Sequence, residues 1–113
     1  MSDTLFSKII KKEIPADILY EDDDCVAIKD INPQAPVHIL VIPKKPIAKV
    51  VDAKEEDKIL LGHLLLIAGK IARDHGISDT FRVVINNGAE AGQTVFHLHL
   101  HILGGRSFDW PPG

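Results

Sequence analysis

The stretch "TVFHLHLHIL", residues 94–103, holds three of the chain's six histidines at every second position. Side chains of an extended strand alternate between its two faces. This spacing therefore predicts a strand over 96–103 with His97, His99 and His101 in a row, about 6.6 Å apart. Phe96, Leu98, Leu100 and Ile102 then point to the opposite face, into a core. Thr, Lys, Glu or Ser would serve a merely wet face equally well, so three imidazoles in a row mark an active face.

The flanking sequence supplies the rest of the fold. Before the row, "FRVVINN" (81–87) reads as a strand and "GAEAGQ" (88–93) as a glycine-bearing loop. Further back, residues 52–76 begin with crowded acidic side chains and repeat Leu60, Leu64, Ile67 and Ile71 at three- and four-residue steps. They end with Arg73, His75 and Gly76, the pattern of one long helix. "VHILVIP" (37–43) is a continuous apolar run between prolines, as expected of a central strand covered on both faces, with His38 at its entrance. "INPQAP" (31–36) is a loop, and "ADILYE" and "DCVAIKD" form a hairpin around the acidic "EDDD", closed by Asp30. "LFSKIIKK" (5–12) places Leu5, Phe6, Ile9 and Ile10 at helical spacing, and Pro15 is expected to end that short helix. Strands joined by short turns and interrupted by one long helix predict an α+β fold with a five-stranded antiparallel sheet, one long helix and one short.

A length of 113 residues, with 45 % hydrophobic and 26 % charged, suits a single domain (1–113) able to bury a real core. The net charge of −3 provides no basic field for nucleic acid, and "PKKPIAK" reads as a solvated loop among prolines. No signal peptide and no membrane-length apolar run are evident, so a cytoplasmic protein without membrane or nucleic-acid partners is expected. The single cysteine, Cys25, cannot form an internal disulfide and is expected to pack in a strand. His63 is expected to be a packed or interface residue, and the position of His75 suits the preference of a helix end for cations.

Two chemistries fit the histidine row. A His-x-His pair with a third imidazole, joined by His38, can hold zinc and activate water. Alternatively, one neutral imidazole is a nucleophile and its neighbours orient it or move protons. "NNGAEAGQT" (86–94) favours the second reading. Gly88 and Gly92 let main-chain N–H groups crowd around an anion, and Gln93 and Thr94 add side-chain donors, an arrangement suited to phosphoryl or nucleotidyl transfer.

"QTVFHLHLHIL" resembles the H-φ-H-φ-H-φ-φ signature, φ being apolar, of the histidine triad (HIT) superfamily. "GQTVFHLHLHILGGR" followed by "WPPG" is similar to its HINT branch of purine nucleoside phosphoramidases, as are "LFSKIIKKEIPADILYEDD" and "IKDINPQAPVH". The resemblance implies a HIT-like fold and a two-fold homodimer. Its substrates would be purine nucleoside monophosphates bearing an amine on phosphorus, including adenylated lysine, with AMP or GMP also bound. It makes His99 the nucleophile, with His38, His97 and His101 in support and no cofactor or metal. His101 and the Thr94 hydroxyl would protonate the leaving amine. Thr94 stands where many relatives carry serine, so the hydroxyl remains and the added methyl narrows the pocket.

The same resemblance matches Asp30 to the ribose hydroxyls and places Ile31 against the base. Asn86, Gly92, Gln93, Thr94 and the Val95 N–H, with His99 and His101, fall at nucleotide-contacting positions. The tail 104–113, bearing Trp110, would reach toward the partner protomer's site and shape the choice of leaving group. The alternatives are a zinc-dependent hydrolase using the same histidines and a non-catalytic nucleotide-binding or scaffold protein.

Overall fold

The computed structural model describes residues 3–113. A helix α1 (Leu5–Ile10) is followed by β1 (Ile18–Glu21), β2 (Cys25–Lys29) and β3 (Val37–Pro43). The long helix α2 (Lys58–Asp74), β4 (Phe81–Val84) and β5 (Leu100–Gly104) complete the chain. The strands form one antiparallel sheet in the order β1-β2-β3-β5-β4, with β3 at its centre as its unbroken apolar run requires. This is the α+β architecture expected. Among the described residues no helix is long and apolar enough to cross a membrane.

The period of two in each central strand divides the sheet between two apolar clusters. Cys25, Ala27, Ile39, Val41, Leu98, Leu100 and Ile102 face α2 and pack on Leu64, Ile67, Ala68 and Ile71. Each fully buried aliphatic side chain here contributes roughly 1.5–3 kcal/mol. On the other face Val26, Ile28, Leu40 and Ile42 pack on Phe6 and Ile9 of α1. That second cluster is smaller and covers only part of the sheet. His99 and His101 line the cavity left beside it.

Four elements differ from their sequence expectation. Helix α1 stops well before Pro15. Lys12 adopts φ +64°, and the Lys12 and Glu13 N–H groups donate back to the Ile9 and Lys8 carbonyls, so the helix closes in a left-handed turn. The acidic run before α2 is not helical at its start but forms 3-10 turns at Val50–Asp52 and Glu55–Asp57. Asp57 is buried, accepts the Lys54 N–H at 2.9 Å and meets the Lys45 ammonium, which fixes a turn where a helix would otherwise begin. Strand β4 ends at Val84, leaving Ile85 exposed.

The fourth difference concerns the histidine row. The strand begins at Leu100, so His97 and His99 precede the ladder and Phe96 lies 41 % exposed rather than in the core. Pro43, which ends β3, has no N–H to extend the ladder, and its carbonyl accepts from His97 Nε2 at 2.7 Å. The Leu98 N–H turns instead to the Ile47 carbonyl. The alternation nevertheless persists, because Leu98, Leu100 and Ile102 all lie in the α2 cluster.

Candidate active site

Register brings the histidines together. In the β3–β5 pair His38 opposes Leu103 and His101 opposes Leu40, so the two histidines are diagonal neighbours on the face away from α2. Their rings are 5.2 Å apart, centroid to centroid. His99 lies 4.9 Å from His101 and 4.9 Å edge-on to Phe6. His97 is 6.4 Å from Phe6, beneath the end of the row. His38, His97 and His99 are buried, and His101 is half-buried.

The hydrogen bonds set the tautomers. A main-chain carbonyl only accepts, so His99 Nδ1 must carry a proton to meet the His97 carbonyl at 2.7 Å; its Nε2 is then a bare lone pair. His38 Nδ1 accepts the Gln34 N–H at 3.0 Å, which places the His38 proton on Nε2. That N–H donates to His101 Nδ1 at 2.9 Å, with Asp30 Oδ2 beside it at 3.4 Å. His101 in turn keeps its proton on Nε2. One imidazole thus presents a lone pair and its neighbour presents a proton.

Charge is unfavourable throughout this cluster. Burial pushes His38, His97 and His99 below the usual imidazole pKa, opposed at His38 by the Asp30 charge and at His97 and His99 by their hydrogen bonds to carbonyls. Burial together with the neighbouring His99 and His38 brings His101 down to about 4. All four are neutral imidazoles at neutral pH, as a nitrogen nucleophile requires.

His99 and His101 open onto a cavity of about 500 Å³. Phe6, Ile9, Ile28, Leu40 and Val95 form its apolar wall, and Asp30, Lys29 and Thr94 are among its polar positions. Ile31 is 97 % exposed at its rim. This volume accommodates a ligand of nucleotide size. Asp30 Oδ1 accepts the Asn32 N–H at 2.8 Å, which orients the carboxylate.

Asn86, Gly92, Gln93 and Trp110 do not line the cavity. The Gln93 side chain is buried and committed to the main chain: Oε1 accepts the Gly88 N–H at 2.8 Å, while Nε2 donates to the Ala48 and Val95 carbonyls at 2.8 and 3.1 Å. It shapes the loop that carries Thr94 rather than standing as a free donor. Gly92 has φ +101°, a conformation that favours glycine, and lies against the Asn86 amide. Trp110 is 82 % exposed, on a tail that Arg82 and Arg106 hold to the same protomer. Both guanidiniums lie over the Phe108 ring, Arg82 donates to the Asp109 carbonyl, and Arg106 donates to that of Gln34.

Sequence reasoning missed the cavity wall. Phe6 and Ile9 read only as the apolar spacing of a short helix and Leu40 only as part of a central strand, and nothing local marks the Gln34 N–H or the Pro43 carbonyl as partners of histidines. Asp30, matched by the resemblance only to the ribose, also brings its Oδ2 within 3.4 Å of His38 Nε2. Asp30, His38 and His101 bring one ligand atom each within 4.8 Å of one another, a spacing that can seat a metal ion.

The HIT domain family profile matches residues 11–108. An uncharacterized HIT-like protein of Synechocystis is 70 % identical over 111 residues, covering 98 % of this chain and 97 % of that protein. The crystal structure of a HIT family hydrolase from Legionella pneumophila superposes with a TM-score of 0.96 at 47 % identity, covering 98 % of this chain and all of that one. A histidine triad nucleotide-binding protein from Candida albicans superposes at 0.82 with 30 % identity, covering 96 % of this chain and 83 % of that one.

Proposed function

The chain belongs to the HIT domain family, and on that premise we propose that it hydrolyses the P–N bond of purine nucleoside 5′-phosphoramidates through a nucleotidyl-His99 intermediate. The observation carrying this reading is the His99 ring, pinned through Nδ1 to the His97 carbonyl with its free Nε2 beside a nucleotide-sized cavity. The Candida relative is a nucleotide-binding protein and the Legionella relative a hydrolase, and both properties accord with this reading. The likeness of the sequence to the HINT branch supports the choice of a phosphoramidate.

In this mechanism the Asp30 carboxylate accepts from the ribose hydroxyls, while Ile31 and the apolar wall sandwich the base. A phosphoryl oxyanion beside His101 opposes the effect of burial, so substrate and a proton bind together; His101 then donates from Nδ1 to His38 Nε2, whose own proton moves to Nδ1 as the Gln34 N–H is released. His99 Nε2 attacks phosphorus as the P–N bond breaks. His101 Nε2 delivers its proton to the departing nitrogen, directly or through the Thr94 hydroxyl, and the amine leaves neutral. Neutral His101 then takes a proton from water, whose oxygen attacks phosphorus and releases nucleoside monophosphate and free His99. His38 holds His101, His97 holds His99, and Asn86, Gly92 and Gln93 shape the loop bearing Thr94 and the Val95 N–H.

The functional unit in this reading is a cytoplasmic homodimer of single-domain chains. Ile59, Leu65 and Leu66 leave apolar surface exposed on α2 for a second copy, and the tail with Trp110 reaches the partner's site. Light scattering coupled to size-exclusion chromatography tests the dimer. An adenosine phosphoramidate labelled in the nucleotide and quenched at low temperature should leave label on His99. A wild-type enzyme that turns over without any trappable adduct would refute the covalent step, as would unchanged turnover in His99→Gly.

The cluster of Asp30, His38 and His101 favours a second reading, a zinc-dependent hydrolase. Chelator-treated, dialysed protein that loses turnover and regains it only with zinc would establish that reading. Turnover indifferent to chelation would support the metal-free mechanism.

A further inference from the structure

A second polar cluster lies on the other side of the sheet, where the β1–β2 turn meets α2. Asp22 is its hub. The Tyr20 hydroxyl donates to Asp22 Oδ2 at 2.8 Å, and His63 Nε2, from α2, lies 2.7 Å from the same oxygen. Oδ1 accepts the N–H groups of Asp24 and Cys25 at 2.8 and 2.9 Å, which locks the carboxylate in place. The Cys25 side chain is fully buried directly beside it. One ligand atom from each of Asp22, Cys25 and His63 falls within 4.8 Å of the others.

We infer that Asp22, Cys25 and His63 form a thiolate-containing site for a zinc-class divalent ion, separate from the histidine face and able to staple the β1–β2 turn to α2. The donor set is sulfur, imidazole nitrogen and carboxylate oxygen, which suits Zn²⁺ or Co²⁺ rather than Mg²⁺ or Ca²⁺. Metal–ligand bonds of about 2.0–2.3 Å place tetrahedral donors roughly 3.3–3.8 Å apart. The 2.7 Å His63–Asp22 contact therefore opens by about 0.6 Å on loading, and the other donor pairs, within 4.8 Å, draw in to the same spacing. Asp22 and His63 are half-buried, so an ion has a path from solvent, with water or the Tyr20 oxygen as fourth donor.

Loading requires a defined proton balance. The Cys25 thiol releases its proton to solvent and binds as thiolate. His63 binds through Nε2 with its remaining proton on Nδ1, and the thiol proton leaves with each ion bound. Each ion bound displaces the thiol proton, so loading strengthens with rising pH.

Cobalt provides a test specific to this site, because Cys25 is the chain's only cysteine. The full-length protein, stripped with chelator and titrated with Co²⁺ under reducing conditions, should develop the near-ultraviolet thiolate-to-cobalt charge-transfer band, saturating at one equivalent per chain. Zinc should displace it. His63→Ala should weaken Co²⁺ binding at least tenfold, Cys25→Ser should abolish the band, and His99→Gly should retain it even if nucleotide chemistry is lost. If Cys25→Ser fails to fold, Asp22→Asn takes its place, with at least tenfold weaker binding expected. Absence of the band in wild-type protein at millimolar Co²⁺, or a band with unchanged affinity in His63→Ala, overturns the proposal. The result is independent of whether the chain is a phosphoramidase.

Discussion

Acidification should destabilise this fold well before its carboxylates titrate. His101 is the strongest contributor: its pKa is near 4 when folded against the usual 6.5. The unfolded chain therefore binds a proton that the folded chain refuses, so stability is fullest above pH 6.5 and declines as pH falls toward 4. With those two values the loss is about 2 kcal/mol at pH 5 and about 3 kcal/mol at pH 4. His38, His97 and His99 shift in the same direction and add to it. The lowered carboxyls of Glu21, Asp57 and Asp74 act in the same sense but below about pH 4.5, where unfolded carboxylates begin to protonate. Urea denaturation between pH 7.5 and 5 should show a falling midpoint at nearly constant m. His101→Gln retains an acceptor for the His38 N–H and removes the titrating ring, so its stability should fall about 2 kcal/mol less over the same interval. Stability that is flat or rising from pH 7.5 to 5 would refute the account of a buried neutral cluster.

Two substitutions test the scaffold. Gln93→Ala removes three hydrogen bonds that brace residues 88–95 and should cost about 2–4 kcal/mol. Denaturant melts would read the loss, and a change under about 0.5 kcal/mol would show that the loop is braced otherwise. Gly104→Ala places a Cβ 2.6 Å from Ile77 Cδ1 and should destabilise by about 1–3 kcal/mol. Adding Ile77→Ala should give a double mutant less destabilised than the sum of the single changes, and strict additivity in thermal melts would reject the contact as the cause.

Alternation and apolar runs made much of the architecture legible. The run from Val37 to Pro43 identified the central strand, and Leu98, Leu100 and Ile102 carried their period of two into the core even where no ladder exists. What escaped depends on contacts distant in sequence. The start of β5 is decided by the Pro43 carbonyl, which takes the His97 ring instead of an N–H. The start of α2 is decided by Lys45 reaching Asp57. Both outcomes turn on which group wins a single hydrogen-bonding partner, and no local propensity encodes that competition.

The site follows the same division. The residue types and their spacing identified the four imidazoles, but their separate roles come from partners with only one possible function. The His97 carbonyl can only accept and the Gln34 N–H can only donate. These two groups alone determine that His99 offers a lone pair while His38 passes a proton toward His101. Burial then keeps every ring uncharged, so the row need not hold positive charges against one another, and the acid instability argued above follows from that arrangement. An open, solvated row could keep the same alternation, but its rings would titrate near 6.5 and its tautomers would be free to exchange. The Phe6 edge packed on His99 and the two main-chain anchors therefore convert a repeating motif into unlike groups.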